Sequence, residues 1–225
     1  MLRILSIFLL SVITSLAHAQ LSAITNTDAA SGVRQSLTDG AAAAVGKLGV
    51  ENGFFSNPKV KIPLPPALAK VEGAMRTFGM KKQADDLILS MNRAAEAAVP
   101  EAKTLLIDAA KKMSLQDAKG ILTGGATSVT DYFRRTTSAQ LTQRFLPIVK
   151  GATERVGVAQ QYNSLAGQAS KFGVIGKDQS TIEGYVTQKS LDGLYLMIGE
   201  EEKALRANPV GAASDIVKRV FGALK

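Results

Sequence analysis

The chain has 225 residues, carries 27 Lys and Arg against 19 Asp and Glu, and has a formal net charge of +8. Hydrophobic residues make up 46%, Cys and Trp are absent, and the single His is His18. This composition excludes collagen-like, disulfide-stapled and highly charged disordered chains.

Residues 1–19 predict a secretory signal peptide. Arg3 supplies the positive start, Ile4 to Leu16 the apolar stretch, and Ala17-His18-Ala19 the small-x-small cleavage motif before Gln20. The stretch is shorter than the roughly 20 apolar residues of a membrane span, so the expected destination is the bacterial periplasm. Residues 20–225 are then a single helical domain without a transmembrane segment. Cleavage would remove His18, leaving no His and no Cys. Ser-His-Asp triads, thiol chemistry and the usual zinc sites all need those side chains. No phosphate-binding glycine motif is present. These absences point away from an enzyme, and neither a cofactor nor a metal is expected.

Apolar residues then recur at helical spacing in an Ala-rich background. Asp28 or Ser31 caps a first helix running to about Leu48. Residues 49–66 differ: a turn-rich Gly53–Pro58 precedes a stretch alternating charged and apolar residues and ending in prolines. The stretch near residues 58–66 is read as an extended, proline-rich arm, a short edge strand or polyproline segment. Helices resume from Pro66 to Gly79, from Lys82 to Val99 and from Pro100 to Met113. Ser114 and Asp117 form a capping box for a short helix. The next helix carries Val129, Tyr132 and Phe133. Another is capped by Ser138 and runs to Val156, kinked or broken at Pro147. An amphipathic segment covers 158–173, Thr181 to Ala207 is the longest helix, and 211–224 the last. The fold class is all-α, a compact multi-helix bundle of one domain.

The candidate ligand-binding residues are Asn92, Arg93, Glu96, Asp131, Tyr132, Arg134, Tyr185 and Asp192. Asn92 and Glu96 lie four apart on one helical face with Arg93 beside them. Set among alanines, they form either a polar site or a structural network. Asp131-Tyr132-Phe133-Arg134-Arg135 offers an arginine pair suited to an anion, or else an ion-paired helix end. Tyr185, Lys189 and Asp192 share one side of the longest helix. Gly184, Gly193 and Gly199 in that helix cost about 1 kcal/mol each relative to Ala, so close packing or a ligand must account for them. Glu202 and Arg206 form an i,i+4 pair on a solvated, charged stretch. Basic doublets at Lys81-Lys82, Lys111-Lys112 and Arg134-Arg135 suit anionic lipid, cell-wall or envelope-protein partners. No nucleic-acid-reading motif is present.

Ordered motifs carry a resemblance. They are Ile62-Pro63-Leu64-Pro65, Met91-Asn92-Arg93-Ala94-Ala95-Glu96, Ile121-Leu122-Thr123-Gly124 and Thr130-Asp131-Tyr132-Phe133. Tyr185-Val186-Thr187, Leu191-Asp192-Gly193-Leu194, Glu200-Glu201 and Arg206-Ala207-Asn208-Pro209 follow. Together they resemble an uncharacterised bacterial exported family, domain of unknown function 4197, over about Leu21 to Phe221. The resemblance implies a signal peptide and a predominantly helical domain; it supplies no activity, substrate or catalytic residue. The expected function is a non-enzymatic soluble periplasmic binding protein for an amphipathic or anionic envelope component. The alternatives are an assembly factor docking an envelope protein on the arm, and a cell-wall glycan hydrolase or lyase. The last would pair Glu96 with Glu200 or Glu201.

Overall fold

The computed structural model describes residues 25–69, 72–79, 81–125, 127–154, 159–160, 162–163 and 180–223. The expected signal peptide and most of the 158–173 segment lie outside the described residues.

Helix α1 spans Asn26–Leu48. Its cap is Thr25 rather than Asp28 or Ser31: Thr25 is extended, and its hydroxyl accepts the Asp28 backbone N–H at 3.0 Å. Asp28 instead occupies the first turn, where a carboxylate favours the helix dipole and accepts the Thr25 hydroxyl proton. The buried face carries Val33, Leu37, Ala41, Ala44 and Leu48. After the arm come two short helices, α2 (Pro66–Ala69) and α3 (Glu72–Thr77), then α4 (Lys81–Ala98). Pro100 sits in a 3₁₀ turn, Val99–Glu101, that leads into α5 (Ala102–Lys111). The expected capping box is present on α6 (Leu115–Thr123), with Ser114 and Asp117 exchanging bonds at the first turn.

Helix α7 is one continuous element, Ser128–Thr153, where two helices were expected. Ser138 caps nothing, and Pro147 lies inside the helix. The physical reason is the side on which the proline falls. Pro147 is exposed, while Phe145 and Val149 on either side are fully buried. The carbonyl freed by the missing N–H therefore reaches water while the core anchors hold the axis. Pro147→Ala restores that bond and is expected to raise stability by up to about 3 kcal/mol, read as a higher urea midpoint.

Helix α8 spans Ile182–Ala207, capped by Thr181 through the Gly184 N–H. A 3₁₀ turn, Pro209–Gly211, leads to α9 (Asp215–Gly222). Helix α7 packs against both α4 and α8, and α1 packs against α5, α8 and α9. The main core includes Leu87, Met91, Phe133, Leu141, Phe145, Leu194 and Tyr195. A second, smaller cluster joins Val217, Val220 and Phe221 to Leu122, Leu205 and Ala212. Gly32 brings α9 against α1: a Cβ there would stand 2.7 Å from Val220 Cγ2. Among the described residues there is no strand, and no helix is long and apolar enough to cross a membrane.

Candidate functional site

The arm explains most of the polar motifs. Asn92 is fully buried, and its amide brackets one arm residue. Its Oδ1 accepts the Ile62 N–H at 2.8 Å, and its Nδ2 donates to the Ile62 carbonyl at 2.9 Å and to the Ile88 carbonyl at 2.7 Å. A side chain thus occupies the backbone groups that a neighbouring strand would have used, and so the arm is not an edge strand. Glu96, 5% exposed, accepts the N–H groups of Phe54 and Phe55 on Oε1, each at 3.0 Å. Its Oε2 accepts Arg93 Nη1 at 2.6 Å. Arg93 also donates to Glu51 and Asn52 at the arm's start. Burial works to raise the Glu96 pKa, but the Phe55 and Phe54 amides and the Arg93 guanidinium outweigh it. Its carboxyl therefore lies below the ordinary carboxylate range.

Helix α8 seats the same arm. A Cβ on Gly193 would lie 2.8 Å from Phe54 Cε1 and 3.2 Å from Val60 Cβ, so the missing side chain is the space the arm fills. Lys59 pairs with Glu200. The Tyr185 hydroxyl donates to the Pro63 carbonyl at 3.2 Å, and burial pushes its pKa up to about 12. Tyr185→Phe keeps the packing and loses this bond. It is expected to lower stability by about 1 kcal/mol without moving the helical circular dichroism signal.

The structure does not assemble the predicted ligand residues into one pocket. Asn92, Arg93, Glu96 and Tyr185 hold the arm. Arg134 pairs with Asp192 at 3.1 Å and lies 5.0 Å from the Tyr195 ring centre, on the surface. Tyr132 donates to the Ala109 carbonyl at 2.6 Å and lines a separate hollow with Asp108, Lys112 and Gln140. Asp131 is exposed in the first turn of α7. Glu201 meets Lys47, and neither Glu200 nor Glu201 pairs with Arg93 or Arg134. Both Glu96 oxygens are bonded and its pKa is held down, whereas a general acid needs a raised one.

A different site lies at the seam between the two cores. A cleft of about 200 Å³ is walled by Leu37, Val129, Ile198, Leu205 and Val217, with Gly40, Ala43 and Ala212 between them. Asp39, Glu201 and Glu202 line it, and among the described residues no Lys or Arg does. Glu202 is 6% exposed, so its pair with Arg206 is buried rather than solvated. Arg206 places Nε at 2.9 Å and Nη2 at 2.7 Å, both on Oε1. Arg206 is itself fixed by the Ile121 carbonyl at 2.7 Å and by the Phe221 ring at 5.7 Å. Glu202 Oε2 makes no hydrogen bond of good geometry. Burial raises the Glu202 pKa against the opposing pull of Arg206 and the Val129 amide. One sequence signal marked this residue: Ile198, Glu202 and Leu205 share an i, i+4, i+7 stripe, so an acid stands where the core needs an apolar side chain.

Several of the motifs quoted above contact one another. Ile62-Pro63 meets Asn92 and Tyr185, and Ile121 meets Arg206. A family model described as "Protein of unknown function (DUF4197)" matches residues 23–222. The chain belongs to that family. No curated protein and no solved structure matches it.

Proposed function

We propose that this DUF4197 chain is an exported, non-enzymatic binding protein whose ligand is a small amphipathic molecule of the cell envelope, held in the cleft at the seam of the two cores. The observation carrying this reading is the cleft itself, about 200 Å³ with apolar walls and a polar rim. For comparison, an engineered apolar cavity of about 150 Å³ takes up benzene. Export rests on the pattern of residues 1–19. The anionic alternative has less support, because Arg93, Arg134, Arg135 and Arg206 already face carboxylates. An assembly partner on the arm also has less support, since Phe54, Val60, Ile62 and Leu64 are turned into the core.

Native mass spectra of the protein, released gently from an expressing envelope, test the reading. The expected result is a retained small molecule, recovered by solvent extraction and lost from Ala43→Leu, which fills the cleft. A bare polypeptide mass in both proteins contradicts it.

A further inference from the structure

Independently of the cleft, we infer that the corner between α5 and α6 is a surface that docks on an anionic lipid bilayer. The sequence has four basic doublets, and the structure separates them. Lys81 pairs with Asp85 and Lys82 with Asp86. Arg134 pairs with Asp192 and Arg135 with Asp117, and in the doublet of α9 Lys218 pairs with Asp215. Lys111 and Lys112 are exposed, and among the described residues neither forms an ion pair. Lys119 in α6 is likewise exposed and forms none among the described residues.

The corner is fixed from the inside. Met113 is buried, and its carbonyl accepts Arg34 Nη2 at 2.7 Å and Nε at 3.2 Å. That anchor holds the reversal between the helices, with Lys111 and Lys112 before it and Leu115 after it, all three exposed. Leu115 is 55% exposed and shares a face of α6 with Lys119, four residues on. The carboxylates nearest in sequence do not neutralise the cluster. Asp117 accepts from Ser114 and Arg135, and Asp108 pairs with neither lysine. The α5 dipole accounts for lysines at its last turn, but not for a leucine left in water beside three cations. An apolar side chain rimmed by unpaired lysines supplies both parts of interfacial binding, insertion among the headgroups and attraction to their charge. Phe78, between α3 and α4, is more exposed at 81%, yet the doublet beside it already faces Asp85 and Asp86. Charge therefore selects the α5–α6 corner.

The test is co-sedimentation of the protein, released from an expressing envelope, with phosphatidylcholine vesicles that contain or lack phosphatidylglycerol. Circular dichroism checks that each variant stays helical. Wild-type binding is expected to require phosphatidylglycerol and to weaken as salt rises. One lysine close to an anionic bilayer raises binding about fivefold. The double variant Lys111→Gln/Lys112→Gln is therefore expected to weaken binding roughly tenfold or more, and Leu115→Ser roughly threefold or more. Lys81→Gln/Lys82→Gln and Phe78→Ser are each expected to change it less than about threefold, because charges beyond a Debye length of the bilayer are screened. Equal binding to the neutral vesicles, through residues 1–19 or any other apolar segment, overturns the docking surface. So does absence of binding to both vesicles, or binding indifferent to Lys111→Gln/Lys112→Gln. An equal loss from Lys81→Gln/Lys82→Gln or Phe78→Ser overturns the assignment to this corner. Displacement by inorganic phosphate at constant ionic strength overturns the bilayer in favour of a soluble anion.

Discussion

Glu96→Ala is expected to lower stability by about 3–5 kcal/mol, the range for removing one partner of a buried charge pair. The loss is large because one carboxylate serves three donors. Without it, the Phe54 and Phe55 amides lose their acceptor, and Arg93 loses its buried counter-charge. For a chain of this size each kcal/mol moves the melting temperature by about 2–4 °C, so a fall of roughly 6–20 °C is the readout. Glu96→Gln keeps an oxygen for the amides and is expected to lose less. The pH dependence has a definite sign. The folded-state pKa of Glu96 lies below its ordinary value of 4.5, so its contribution is complete above that value and fades as pH falls through the folded-state pKa. The stability gap between the wild type and Glu96→Gln is therefore widest above pH 4.5 and narrows below it. Glu202 shifts the other way, but it is present in both proteins and cancels. A gap independent of pH contradicts this assignment.

Phe54→Ala is the other large loss, about 3–5 kcal/mol for emptying a fully buried aromatic site. Phe54 has no exposed surface and rests on the bare backbone of Gly193. Gly193→Ala forces a methyl group against that ring and is expected to cost about 1–3 kcal/mol by overpacking. The two substitutions are coupled. In the Phe54→Ala background the added methyl loses two of its three nearest neighbours, both atoms of the Phe54 ring, while Val60 Cβ at 3.2 Å remains. The double variant should therefore be more stable than the sum of the single losses predicts, by about 0.5–3 kcal/mol, measured from urea unfolding. Strict additivity would show that Phe54 and Gly193 do not share a contact.

The helices were legible wherever the apolar period was strong and a cap stood nearby. The Ser114 capping box and the α8 span from Ile182 to Ala207 are examples. Helix α7 was misread because Pro147 and Ser138 are local signals of interruption. What overrides them is tertiary: the alternate burial of Phe145 and Val149 around an exposed proline. The four-residue spacing of Asn92 and Glu96 correctly marked one helical face. Its destination, the arm some 30 to 40 residues earlier, is a long-range contact that no local period records. The cleft was illegible for the same reason. Its walls come from residues 36–43, from Val129, from 198–205 and from 212–217, brought together only when α9 closes over α1 and α8. Glu202 alone left a trace, as a carboxylate on an apolar stripe.

On the function proposed above, the cleft, and not the polar cluster around Asn92 and Glu96, receives the ligand. Methyl carbon NMR of the full chain titrated with hexan-1-ol, a small amphipathic probe, decides between the two. Saturable shifts are expected at Leu37, Val129, Ile198, Leu205 and Val217, with Val60, Ile62 and Leu64 of the arm unmoved. Shifts confined to the arm methyls, with the cleft silent, would contradict it.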